Sequence, residues 1–135
     1  MAGLVLDASV TLSWFLVDEK AAAGPRERTT AEGAIAPVSW PLEIANGLLV
    51  GERRGRITAA NRATAFEKLN SMPIELDGET AAHAWDAIYE LAITHRLTIY
   101  DAVYLELARR RGLPLASLDR ELRAAAEAAG IALLP

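Results

Sequence analysis

Cysteine is absent from the 135 residues, which excludes disulfides and thiolate metal sites and agrees with a cytoplasmic location. Lysine is scarce, with Lys20 and Lys68 the only two, and histidine is limited to His83 and His95. The histidines lack the spacing of a metal-binding pair and read as surface or interface residues. Aromatic residues make up 6% of the chain, and Trp14, Trp40 and Trp85 read as core residues rather than as platforms for bases. No apolar run reaches the length of a membrane span. Met1-Ala2-Gly3 leads straight into a strand-like run, without the basic region of a signal peptide. An excess of positive charge is also missing: the net charge is −4, whereas proteins that neutralise long duplex nucleic acid are usually basic.

What is present is the composition of a globular fold, 52% hydrophobic and 24% charged, in a length that suits a single domain over residues 1–135. Arginine is clustered at Arg53, Arg54 and Arg56 and again at Arg109, Arg110 and Arg111. These clusters read as solvated helix ends, where cations suit the negative pole of the helix. The other reading is that one of them flanks an acidic pocket and guides a polyanion.

Strand and helix patterns alternate along the chain. Strands are expected over Leu4–Leu6, Ala34–Val38, Pro73–Leu76, Leu113–Ser117 and Ile131–Leu134. Helices are expected from Asp7-Ala8-Ser9 to about Leu16, with Asp7 or Ser9 as cap, from Pro41 to about Arg54, and from Thr58 to about Asn70. Further helices are expected from an Asp77 cap to about His95, from about Tyr100 to Arg111, and from Asp119 to Ala129. In the Asp77–His95 segment Ala81, Trp85, Ile88, Tyr89 and Ala92 recur near the helical period. Residues 18–33 are small, polar and Ala-rich, and predict a short helix interrupted at Gly24-Pro25. The alternation implies an α/β domain, with a mainly parallel sheet flanked by helices on both faces. In such sheets the ligand site lies at the carboxyl ends of the strands, near the switch in strand order.

Four acids stand in otherwise apolar stretches at those positions: Asp7, Glu43, Asp101 and Asp119. Each has a local structural explanation. Asp7 and Asp119 can be helix N-caps, worth about 1 kcal/mol each. Asp101 matches the capping-box spacing after Thr98, and Glu43 can complement a helix dipole. None of these explains why all four have apolar neighbours and map to one edge of the sheet. A shared acidic pocket does, and such a pocket needs a counter-charge. Mg²⁺ or Mn²⁺ suits an all-oxygen donor set. A water activated by the metal could then attack a phosphodiester without a protein nucleophile.

Five segments, taken in order, resemble a PIN domain, and most closely the VapC type of toxin ribonuclease. They are Val5-Leu6-Asp7-Ala8-Ser9, Trp40-Pro41-Leu42-Glu43-Ile44-Ala45-Asn46, Glu52-Arg53-Arg54-Gly55-Arg56-Ile57-Thr58, Thr98-Ile99-Tyr100-Asp101-Ala102-Val103-Tyr104-Leu105 and Ser117-Leu118-Asp119-Arg120-Glu121-Leu122. The resemblance implies a five-stranded parallel sheet and an Mg²⁺- or Mn²⁺-dependent endoribonuclease. It also implies a cognate antitoxin protein that blocks the site, and a homodimer. Carried over by position, Asp7, Asp101 and Asp119 match metal-binding acids, and Glu43 completes the catalytic quartet. Ser9 and Ser117 match hydroxyl positions that orient the acids, and Asn46 matches an Asn that orients Glu43 or is an ordinary polar helix residue. Ser117 stands where many members have Thr. Tyr100 and Tyr104 are compatible with core, interface or RNA-facing roles.

Rival readings fit less well. A haloacid-dehalogenase-like phosphoryl transferase needs a second acid where Ser9 stands, and both it and a phosphate-receiver domain need a late Lys. Gly-x-Ser-x-Gly and phosphate-binding-loop motifs are absent. A non-catalytic PIN-like binding module, or a DNA- or RNA-processing nuclease that is not a toxin, remains the alternative to the toxin ribonuclease.

Overall fold

A computed structural model describes residues 2–16 and 20–135. Four parallel strands form one sheet: β1 (Val5–Leu6), β2 (Ala34–Pro37), β3 (Ile74–Asp77) and β4 (Leu115–Ala116), in the order β3-β2-β1-β4. The chain therefore starts in the middle of the sheet, builds outward through β2 and β3, and returns to the other side of β1 as β4. That reversal between β1 and β4 is a topological switch point. Leu4, Val5, Leu6, Ile35 and Leu115 have no exposed surface, as expected for strands covered by helices.

The helices among the described residues are α1 (Ala8–Ser13), α2 (Ala23–Glu32), α3 (Trp40–Arg53), α4 (Ala59–Ser71), α5 (Ala87–His95), α6 (Ile99–Arg111) and α7 (Arg120–Ala128), with a 3-10 turn over Thr80–His83. The central helix is α6, buried without a break from Ala102 to Ala108 and packed on β1, β2 and β4, with α5 and α7 against it. Thr58 and Thr98 cap α4 and α6 by accepting from the Asn61 and Asp101 amides at 3.1 and 3.2 Å. Gly112 closes α6 in the left-handed conformation, φ 64°. Gly47 lets α1 approach α3, since a methyl there would stand 2.5 Å from Leu12.

Several expectations are corrected. The fifth strand over Ile131–Leu134 is reduced to one parallel bridge, Leu115↔Leu133, so the described sheet has four strands. With β4 only two residues long, the C-terminal segment has little edge to extend along. Gly24-Pro25 does not interrupt a helix; it lies in the first turn of α2, where a missing amide hydrogen is harmless. The part of that expectation covering Asp18 and Glu19 falls outside the described residues. Asp77 caps no helix but ends β3, and the long helix expected after it is a 3-10 turn, then α5. Trp14 and Trp40 are buried, but Trp85 is 96% exposed, because the helical phase from Ala81 breaks in the turn before α5.

Asp77 belongs instead to a buried ion network. Arg110 donates to Asp77 Oδ2 at 2.7 Å and to both Glu106 carboxylate oxygens at 2.9 and 3.0 Å, while Thr80 Oγ1 donates to Asp77 Oδ2 at 2.8 Å. Burial works against the Asp77 charge, but the Arg110 and Thr80 hydrogen bonds and the Arg110 charge hold its carboxyl below the usual range. Removing one partner of a buried pair strands the other. Arg110→Ala should therefore cost about 3–5 kcal/mol in urea unfolding. Arg111→Ala, which removes a more exposed 3.6 Å pair with Glu75, should cost under about 1 kcal/mol. Because the folded pKa of Asp77 is depressed, the contribution of its ionisation is present above its unfolded pKa and lost as pH falls through the folded one. The gap between wild type and Arg110→Ala should narrow in acid.

Candidate active site

The site is built where β1 and β4 end together. Val5 pairs with Leu115 and Leu6 with Ala116, and the Asp7 amide donates to Ala116 O at 3.0 Å. Asp7 and Ser117 are thus the next residues of two adjacent parallel strands, and the Ser117 hydroxyl donates to Asp7 Oδ2 at 2.7 Å. Ser9, two residues on, donates to the same oxygen at 2.6 Å. Each hydroxyl also accepts from the loop after β4: Ser9 Oγ from the Leu118 amide and Ser117 Oγ from the Asp119 amide, both at 3.0 Å. Asp7 occupies the N-cap position of α1, yet its carboxylate caps nothing. Its side chain serves the junction of the two strands instead.

Asp119 does cap, accepting from the Leu122 amide at 2.9 Å through Oδ1. Asp101 stands in the first turn of α6, with its amide bonded to Thr98 Oγ1 and its side chain part-exposed. Glu43 stands in the first turn of α3; its Oε1 accepts from Tyr104 Oη at 3.1 Å and from Ser39 Oγ at 3.3 Å, which leaves Oε2 free of those bonds. Tyr104 is fully buried on α6 and so fixes Glu43 to the core. Sequence reasoning left the side of Tyr104 open and missed Ser39; the three-residue step from Asp101 to Tyr104 along α6 was the available signal. Asn46 is exposed and makes no side-chain hydrogen bond to Glu43. His83 and His95 lie outside the site, on the 3-10 turn and at the end of α5.

The acids share one electrostatic field. Burial raises the proton affinity of Asp7 more than the Ser9 and Ser117 hydroxyls lower it, and the charge of Asp119 adds to the rise. Burial likewise raises Glu43, opposed by the Tyr104 hydroxyl and reinforced by Asp7 and Asp101. Asp101 is raised by burial and by the charges of Asp119 and Asp7. The ion pairs among the described residues lie elsewhere, at Arg28–Glu32, Arg62–Glu52, His83–Asp86, Arg111–Glu75 and the Arg110 network. Arg123 donates to the carbonyls of Ser117 and Leu134 rather than to an acid. Arg53 is ten residues along α3 from Glu43, and Arg110 nine along α6 from Asp101, so each stands roughly 14 Å away along its helix.

By donor chemistry and charge the residues fit a hard divalent cation. Among the described residues, no three His, Asp or Glu side chains stand close enough to share one ion as they are.

A sheet with this switch point, carrying acids at the strand ends and in the first turns of the following helices, defines an α/β class with an acidic carboxyl edge. Residues 4–128 match the PIN domain family, and the chain belongs to it. Within that family its likeness is to the VapC ribonucleases. It is 29% identical over 119 residues to Ribonuclease VapC3 of Pyrobaculum aerophilum, covering 88% of this chain and 91% of that protein. It is 29% identical over 121 residues to Ribonuclease VapC3 of Mycobacterium tuberculosis, covering 88% and 84%. The crystal structure of PAE2754 from Pyrobaculum aerophilum superposes with a TM-score of 0.68 at 26% identity, covering 92% of this chain and 86% of that one.

A folded pKa raised above the unfolded value means that the ionised Asp7 costs stability, fully above the folded pKa and not at all below the unfolded one. Asp7→Asn should therefore raise the melting temperature in EDTA at neutral pH. The gain should fade as pH is lowered through the raised pKa of Asp7; melting curves between about pH 4 and pH 8 check both.

Proposed function

We propose that the chain is a single-domain, Mg²⁺- or Mn²⁺-dependent endoribonuclease of the VapC kind, the toxin of a toxin–antitoxin pair. The observation that carries this reading is a buried Asp7, held by two serine hydroxyls at the strand switch point and, among the described residues, in none of the ion pairs. Membership of the PIN family and the likeness to two proteins named Ribonuclease VapC3 support it. Among the described residues, no helix is long and apolar enough to cross a membrane. The reading places the protein in the cytoplasm, with RNA as substrate, a cognate antitoxin as inhibitor, and a second copy of the chain as partner.

Asp7, Asp101 and Asp119 would hold the ion. When bound, it supplies charge neutralisation at the phosphodiester and a lowered pKa for the attacking water. Ser9 and Ser117 fix Asp7 through Oδ2, which leaves Oδ1 free of those two bonds. Tyr104 and Ser39 fix Glu43 through Oε1 and leave Oε2 to receive a proton. The proton affinity of Glu43, raised by burial and by the charges of Asp7 and Asp101, suits that role. Asp119 divides its carboxylate, with Oδ1 capping α7 and Oδ2 left for the site.

Cleavage of a pool of single-stranded and structured RNA in Mn²⁺ tests the reading. Wild type should cleave, EDTA should stop it, and Asp7→Asn and Asp101→Asn should each lose at least about a hundredfold in rate. Both variants should keep the wild-type circular dichroism. Equal cleavage by wild type and variants would refute the site; no cleavage by any of them, with no response to Mn²⁺, would favour a binding module.

A further inference from the structure

Three of the site acids are each preceded by an exposed hydrophobic residue. Leu42 stands before Glu43 and is 75% exposed, Tyr100 stands before Asp101 and is 69% exposed, and Leu118 stands before Asp119 and is 48% exposed. One exposed hydrophobic residue is ordinary on a soluble protein; three bordering the same acids form a rim. Among the described residues the Tyr100 hydroxyl makes no hydrogen bond, and its ring makes no aromatic or cation contact.

Tyr104 fixes where Tyr100 points. The two residues are four apart on α6, so they differ by about 40° around the helix axis and about 6 Å along it. Tyr104 Oη donates to Glu43 Oε1 at 3.1 Å, which puts this side of α6 against the first turn of α3. Tyr100 therefore stands on the α3 side of α6, one turn nearer the helix start. Helical side chains lean toward the N-terminus, so its ring projects past the end of α6, on the side of Glu43 and next to Asp101. The lower tyrosine is buried and spent on Glu43, whereas the upper one overhangs the acids with its face open.

We propose that Tyr100 is the residue on which the site stacks a nucleobase, that of a nucleotide flanking the cleaved bond, and that the substrate must present this base unpaired. The inference rests on the ribonuclease reading and names the substrate class for it. Stacking suits this site for a physical reason. The acids repel phosphate until a cation arrives, and the chain as a whole carries −4, so phosphate attraction supplies less of the hold than in a basic nuclease. A neutral ring attracts the face of a base whatever the charge around it, and does so for all four bases. Inside an A-form duplex each base is already stacked between its neighbours, so a paired strand has no free face to offer. Loops, bulges and ends have one.

Kinetics on a defined RNA test it. A site mapped by wild-type cleavage of the RNA pool in Mn²⁺ is copied into a short unstructured oligoribonucleotide. Tyr100→Phe, which keeps the ring, should cleave it with the wild-type kcat/KM. Tyr100→Ala should lose about five- to a hundredfold, the range of one base–aromatic stack, mainly through KM and with an unchanged circular dichroism spectrum. Making one of the two nucleotides that flank the cut abasic should cost wild type a similar factor. The same change should cost Tyr100→Ala nothing further, because the contact is already gone. Annealing a complementary strand across the cut should protect the RNA from wild type. A Tyr100→Ala that cleaves as fast as wild type, losses that multiply in full at both flanking nucleotides, or undiminished cleavage of the annealed duplex would each overturn the inference and leave the nuclease standing. A wild type that cleaves no RNA would overturn both.

Discussion

The pairing of β1 with β4 at the point where the strand order reverses is the constraint on which the site depends. Two strands far apart in sequence end side by side, and Asp7 and Ser117 follow as the next residues in register. A hydroxyl from each side of that junction donates to one carboxylate oxygen, and each accepts from the loop that leads to Asp119. The position of Asp119, and through it the start of α7, is thereby tied to Asp7. On the other flank Tyr104 and Ser39 tie Glu43 to α6 and to the end of β2. Asp7 and Glu43 are held by hydroxyl donors, and among the described residues neither is in an ion pair.

That choice is informative because the same sheet handles another buried acid differently. Val5 pairs with Ile35 and Pro37 with Asp77, so Asp7 and Asp77 close β1 and β3 at the same level of the sheet. Both are buried. Asp77 receives Arg110, and its carboxyl falls below the usual range. Asp7 receives two neutral hydroxyls and the repulsion of Asp119, and its carboxyl rises. Among the described residues an arginine pairs with the acid at one of these strand ends and not with the acid at the other. Hydroxyl groups orient a carboxylate without neutralising it, which leaves its charge available to an outside cation. The cost of holding Asp7 this way is borne by the protein itself wherever the carboxyl is ionised.

Local signals were read well from the sequence, and long-range ones less so. The caps at Thr58, Thr98 and Asp119 and the stop at Gly112 depend on a few neighbouring residues, and all are where residue type and spacing put them. The parallel sheet and the convergence of Asp7 and Asp119 at its carboxyl edge followed from strand–helix alternation. Asp77 was misread as a cap because an acid before a helical pattern looks the same whether it faces an amide or a distant arginine. The i, i+4 spacing of Glu106 and Arg110 hinted at a pair, but nothing local pointed across to β3. Trp85 was misread because periodicity assumes an unbroken helix, and the phase is lost in residues 84–86. The fifth strand failed for want of edge: an apolar run predicts burial, but a ladder also needs a partner of matching length. At the site, the roles of Tyr104 and Ser39 depended on which side of α6 faces α3, a matter of packing.

The central claim is that the acids around Asp7 form one field that calls for a divalent cation. Isothermal titration of Mn²⁺ into wild type and Asp7→Asn, repeated in buffers of different ionisation enthalpy, tests it most directly. The account predicts binding to wild type with net proton release, because carboxyls with raised proton affinity give up their protons as the ion enters, and loss of that binding in Asp7→Asn. Binding of equal strength and equal proton release in both proteins, or no binding to either, would contradict it.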